Sequence, residues 1–287
     1  MSVPKVTKAL IPMAGRGHAT VPLQTLTGVD GKTITVIEHQ VAELLAAGIQ
    51  EICLVVSEVA RALVAPVLAR FAGQISYVGQ KDPKGFGHAL WCAREWTGGQ
   101  PVVVQVCDHV FLSSTSNSCV QQMTEEWNLR GASICAIQRL RESEVPRVGV
   151  VSGTRLEGDS RSFLLQAFLE KPSVTKAELL PHVSGLSSSQ YLCSAGIFIL
   201  SPAFFDILDE FRDSENGSLQ WLAPALTELM KRESFYGLEF QGRRINLEEP
   251  LGLVRAQIAM GLNSPDRGRL LALMLEESVR LNQAKKD

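Results

Sequence analysis

Gln80-Lys81-Asp82-Pro83-Lys84-Gly85-Phe86-Gly87-His88-Ala89 joins a side-chain amide, two lysines and two glycines to the start of an apolar helical run. Glycines ahead of a helix let backbone N–H groups and the positive end of the dipole come close to a nucleotide or another anion. The Gln80 amide can offer a base edge both a donor and an acceptor. The same spacing also describes a glycine turn that merely caps a helix beginning near His88. Two more groups sit at the ends of apolar runs. Asp108 follows the run 102–106, where a carboxylate suits a hard cation or serves as a strand-end turn or helix cap. Glu170-Lys171-Pro172 follows the run 163–169, placing a hydrogen-bonding carboxylate beside a point charge suited to phosphate. A solvated pair before a chain-turning proline reads the same way.

The elements that must position these groups alternate. The run 9–13 is a buried strand leading into the glycine loop Ala14-Gly15-Arg16-Gly17. Val36, Ile37, Val41, Leu44 and Leu45 recur at helical spacing, with Gly48 placed to end the helix. Positions 49–56 read as the next strand, 60–71 as a helix, and 102–106 as a β-branched central parallel strand. Such alternation predicts a doubly wound, mainly parallel sheet over residues 1–140. In these sheets ligands bind beyond the carboxyl ends of the strands, where both the Gly15 loop and Asp108 fall. Short strands separated by polar stretches predict a smaller α+β half over 141–250 that closes over the first. Two helices broken at Asn263-Ser264-Pro265 fill 251–287, and the apolar stretch 270–275 reads as a self-association face or as packing on its own domain.

The whole chain sets further bounds. Its 287 residues suffice for one large α/β domain without disulfide or metal staples. A net charge of −2 gives no general field for nucleic acid or an anionic membrane, so bound phosphate must be held locally. The six cysteines lack CxxC spacing, which predicts buried free thiols rather than a disulfide framework or a zinc site. The N-terminus shows no signal-peptide core and no apolar run nears about 18 residues, so the cytoplasm is the expected compartment. Trp91 and Trp96 read as core rather than as stacking platforms.

In order along the chain, the 80–89 segment, Gly48-Ile49-Gln50-Glu51-Ile52, Asp108, Gly149, Glu170-Lys171-Pro172, Gly196 and Leu251-Gly252 together resemble the sugar-1-phosphate nucleotidylyltransferases. The likeness is greatest to the bacterial UTP–glucose-1-phosphate uridylyltransferases and covers nearly the whole chain. It implies the nucleotide-diphospho-sugar transferase type of α/β fold. It implies an enzyme that joins a nucleoside triphosphate, UTP foremost, to a sugar 1-phosphate with Mg2+ and releases pyrophosphate. Ala14, Gly15, Gln80 and Gly85 would meet the nucleotide. Gly149, Glu170 and Gly196 would meet the sugar. Asp108 and Lys171 would be catalytic, with Asp108 and Asn246 at the metal.

The chain also departs from that family. Ala19 stands where its first loop carries arginine, Leu23 follows Pro22 in place of lysine, and Asn246 takes the position of a second metal-binding aspartate. Transfer to the α-phosphorus depends on positioning and on neutralising triphosphate charge. Loss of one transition-state cation of the arginine-finger kind costs roughly 10³–10⁵ in rate. Arg16, His18, Lys32 and Lys84 are the sequence's candidates to compensate. Two readings follow: an atypical working transferase, or a catalytically degenerate relative that binds a nucleotide or nucleotide-sugar as a sensor or partner subunit. A dinucleotide-binding Rossmann oxidoreductase fits less well, because Gly15-x-Gly17-x-x-Thr20 lacks the third glycine.

Overall fold

The structure, a computed structural model, describes residues 3–15, 20–82, 84–187, 189–213 and 221–283. In chain order its strands are β1 (Lys8–Pro12), β2 (Thr25–Thr27), β3 (Thr33–Thr35), β4 (Glu51–Val56), β5 (Ile75–Gly79), β6 (Val102–Gln105) and β7 (His109–Ser113). Then follow β8 (Ile134–Arg141), β9 (Gly149–Arg155), β10 (Ser162–Glu170), β11 (Gln190–Leu200), β12 (Tyr236–Glu239) and β13 (Gly242–Asn246). Nine of them form one sheet in the order β5-β4-β1-β6-β11-β8-β12-β10-β9, flanked by the ribbons β2–β3 and β7–β13.

The first four strands of that order are mutually parallel. Their continuous apolar runs follow from burial on both faces: Ile52, Leu54 and Val56 of β4 enter one core, and Cys53 and Val55 enter the other. Ile37, Val41 and Leu44 of the helix Val36–Ala46 cover the first core, together with Met123 and Trp127 of the helix Cys119–Arg130. Leu90 of the helix Phe86–Cys92, with Phe204 and Leu226, covers the second. Thr35 and Glu38 form a reciprocal capping box at the first helix, as do Ser118 and Gln121 at the second. Gly48 lies just past the first helix at φ +89°, the left-handed backbone that a glycine stop supplies.

The second half does not close over the first as a separate layer. It meets the first edge to edge, because β11 runs antiparallel beside β6 with Ile197 opposite Gln105. β8 and β12 pair in parallel, while β10 pairs antiparallel with both β12 and β9. β11 also bulges against β8 between Ser194 and Phe198, and Gly196 sits in that bulge at φ +89°. The C-terminal pair falls where the sequence places it, as the helices Gly252–Leu262 and Arg267–Gln283. Ala256, Ala259 and Met260 of the former pack on Leu26, Val110 and Ile245.

Candidate active site

Beyond the carboxyl ends of β1 and β6 opens a cavity of about 880 Å³. Seven of the residues singled out in the sequence line it: Gly85, Asp108, Gly149, Glu170, Lys171, Gly196 and Asn246. They come from six separate stretches of chain. Ala14 and Gly15 follow β1 at the same sheet edge but are not among the lining residues, and neither is Gln80. Arg16, Gly17, His18 and Ala19 lie outside the described residues.

Asp108 is held by a built turn. The Gln40 amide, buried in the first helix, donates to the carbonyls of Val106 and His109 at 3.0 and 2.8 Å. The Leu247 N–H donates to the Asp108 carbonyl at 2.9 Å. The Asp108 carboxylate lies 2.6 Å from His109 Nδ1. A carboxylate accepts, which puts the ring proton on Nδ1. His109 Nε2 is buried without a partner among the described residues. β13 places Asn246 opposite His109, and the Asn246 Oδ1 accepts the Glu248 N–H at 2.9 Å.

Across the cavity, Glu170 ends β10 opposite Gly149 of β9. Burial pushes the Glu170 carboxyl above its ordinary range, and the Lys171 ammonium draws it partly back. Lys171 has φ +42°, in the left-handed region that a non-glycine residue enters only under strain. Its N–H donates to the Val148 carbonyl at 3.1 Å. The glycines here answer to packing as well as to any ligand. A Cβ at Gly149 would meet the Phe168 ring at 2.5 Å, and one at Gly196 would meet Val106 at 2.6 Å.

The glycine segment closes from beneath. Gln80 is 3% exposed, and its Nε2 donates to the Gly85 carbonyl at 3.3 Å and to His88 Nδ1 at 2.7 Å. The helix starts at Phe86, two residues before the expected His88, after Gly85 at φ +96°. Trp91 and Trp96, expected in the core, are partly buried against the second core, and the Trp91 indole N–H donates to Asp209 at 2.9 Å. Trp96 lies under the Lys8 ammonium.

The cavity also holds residues that sequence reasoning passed over: Arg147, Arg244, Glu248 and Glu249. Arg244 and Asn246 are alternate positions of one strand and share a face, a signal available once 242–246 is read as a strand. Of the compensating cations considered, Lys32 sits on the β2–β3 hairpin beside Asp30 at 3.5 Å, and Lys84 is exposed. Neither lines the cavity. Leu23 packs against the first core. The six cysteines are free, five of them buried. Among the described residues no helix is long and apolar enough to cross a membrane.

A family model described as nucleotidyl transferase matches residues 19–242. The UTP–glucose-1-phosphate uridylyltransferase of Bacillus subtilis (strain 168) is 28% identical over 94% of this chain and 96% of its own. UTP–glucose-1-phosphate uridylyltransferase 1 of Staphylococcus saprophyticus is 28% identical over 90% of this chain and 93% of its own. A crystal structure of UDP-glucose pyrophosphorylase complexed with UDP-glucose is 26% identical and superimposes with a TM-score of 0.71, covering 88% of this chain and 98% of that one. UDP-glucose pyrophosphorylase from Acinetobacter baumannii, at 21% identity and a TM-score of 0.75 over 95% and 99%, shares the fold. The family match spans most of the sequence and both halves of the sheet, so this chain belongs to the nucleotidyl transferase family.

Proposed function

We propose that this chain transfers a uridylyl group from UTP to a sugar 1-phosphate, glucose 1-phosphate foremost, and releases pyrophosphate. The observation that carries the reading is the single cavity shared by Gly85, Asp108, Gly149, Glu170, Lys171, Gly196 and Asn246. Its size suits a nucleotide joined to a sugar. The uridylyltransferase relatives support UTP and a sugar phosphate as the ligands.

In the reaction an oxygen of the sugar phosphate attacks the α-phosphorus of UTP in line. The bond from that phosphorus to the bridging oxygen breaks, and pyrophosphate leaves with the electron pair. No side chain need bond to the substrate, so the protein's work is orientation and charge. Ala14, Gly15, Gln80 and Gly85 are assigned to the nucleotide. The Gly85 backbone approaches it, and Gln80 holds the loop in shape. Gly149 and Gly196 let the sugar approach backbone, and the Glu170 carboxylate accepts from its hydroxyls. Lys171 faces the phosphates. Asp108 and Asn246 are the residues that would hold Mg2+, which when bound neutralises phosphate charge. One carboxylate and one amide oxygen fit an ion whose other ligands are phosphates and water, not a dedicated protein cage. Among the described residues no trio of ligand-type side chains forms such a cage.

Leu23, partly buried against the first core and carrying no charge, favours a second reading in which ligand binds without turnover. Pyrophosphate release with UTP, Mg2+ and a panel of sugar 1-phosphates, run beside UTP calorimetry, separates the two. Release establishes the transferase, binding without release selects the sensor, and neither result ends both. The exposed Leu271, Leu273, Met274, Leu275 and Val279 of the last helix support a homo-oligomer, which light scattering reads directly.

A further inference from the structure

Three cations line the cavity, and each lacks an ionic partner. Arg147, Lys171 and Arg244 have no carboxylate within 4.0 Å among the described residues. Elsewhere in the chain partly buried arginines hold carboxylates, Arg130 to Glu126 at 2.8 Å and Arg139 to Glu239 at 2.7 Å. Arg244 is the clearest case. Its side chain is partly buried in a cavity wall that Glu249 also lines. Yet Glu249 is paired with Arg255 at 3.4 Å. A desolvated guanidinium without a fork-matching acceptor is costly unless a ligand supplies one.

The three approach from two sides. Arg147 ends the turn Glu142–Arg147. Lys171 is tied to the next residue in the chain through its N–H to the Val148 carbonyl at 3.1 Å. Arg244 comes from β13, two residues before Asn246 and opposite Phe111 of β7. The cations therefore flank the space between the Glu170 side of the cavity and the Asp108 side. The acids Asp108, Glu170, Glu248 and Glu249 line the same cavity, and none of them lies within 4.0 Å of these three cations.

We propose that Arg147 and Arg244, together with Lys171, form a phosphate-binding cradle that replaces the charge absent from the N-terminal loop at Ala19 and Leu23. The proposal rests on the nucleotidyl-transfer reading above and adds the residues that make it workable with that loop. Arginine presents a planar fork that donates to two phosphate oxygens at once, whereas lysine offers a point charge.

Calorimetry of the full chain with UTP and, separately, with glucose 1-phosphate tests the cradle in wild type, Arg147→Ala, Arg244→Ala and Arg244→Lys. The expected result is at least a tenfold loss of affinity in Arg244→Ala for one or both ligands, with a smaller loss in Arg147→Ala. Arg244→Lys should recover part of it. Loss confined to UTP puts the cradle on the triphosphate, and loss confined to glucose 1-phosphate puts it on the sugar phosphate. Should Arg244→Ala fail to fold, the exposed Arg147→Ala and the conservative Arg244→Lys carry the test. Wild-type affinity for both ligands in all folded variants overturns the cradle while leaving the transferase standing. Wild-type protein that binds neither ligand overturns both.

Discussion

The side-chain amide of Gln80 donates to Nδ1 of His88 at 2.7 Å, across the loop that separates them. The acceptor role places the ring proton on Nε2 and requires a neutral imidazole, and burial holds the His88 pKa below its ordinary value. Gln80 thus ties the end of β5 to the first turn of the next helix. Gln80→Ala removes this bond and the one to the Gly85 carbonyl, and is expected to cost about 1–3 kcal/mol of stability. UTP affinity should fall with it. Urea denaturation and calorimetry on one preparation check both.

Gly196 combines two constraints, a φ of +89° and a Val106 methyl 2.6 Å from where a Cβ would stand. Gly196→Ala is expected to destabilise the fold by about 2–4 kcal/mol, from the backbone and the contact together. Gly196→Ala with Val106→Ala should recover the contact part and leave the backbone part. A double-mutant cycle by chemical denaturation measures the split. Full recovery would show that the backbone conformation costs nothing.

Lys171 separates stability from activity. Its φ of +42° is a conformation glycine adopts freely, so Lys171→Gly should be neutral or up to about 1 kcal/mol more stable than wild type. Lys171→Ala keeps the strain. Both should lose roughly 10²-fold or more in kcat, since the ammonium is gone from each. Steady-state pyrophosphate release and urea titration check the pair. Retained activity in either variant removes Lys171 from the mechanism.

Glu43, on the inner helix Val36–Ala46, has its pKa raised by burial to about 7. The ordinary value is 4.5, so the folded state holds the proton more tightly than the unfolded state. The Glu43 contribution to stability is then most favourable below pH 4.5, falls as pH rises from there to about 7, and is least favourable above. Glu43→Gln removes the titration. It should raise stability at pH 8 by about 1–3 kcal/mol and change it little at pH 4. Melting temperatures across that range decide it.

Much of the scaffold can be read directly from residues. The run Ala9-Leu10-Ile11 and the valines 102–104 are apolar because both their faces are covered. Gly48 and the break at 263–265 mark real ends because those backbones cannot continue a helix. Asp108 stands out in the sequence because it follows the apolar strand 102–105, and Gly85 because it precedes a helix. Arg147 and Arg244 do not. In sequence each is a polar residue near a turn, and only the pairing of β13 with β7 carries Arg244 back to Asp108 across more than a hundred residues. Gln80 reads in sequence as a contact for a base edge, whereas its amide turns inward to the Gly85 carbonyl and His88. Its inward turn depends on His88, whose ring is held by Trp91 and Trp221.

β11 is hydrogen-bonded to β6 on one side and to β8 on the other, and it reaches β9 at Leu192 and Cys193. The cavity residues on β9, β10 and β11 are therefore carried on one continuous sheet, to which the β7–β13 ribbon with Arg244 and Asn246 is added. Among the described residues, the cavity's rim outside that sheet includes two short backbone segments, the glycine turn before Phe86 and the turn Glu142–Arg147. A crosslink between those two turns is expected to slow pyrophosphate release while leaving the sheet's stability unchanged, which steady-state assay and urea denaturation check.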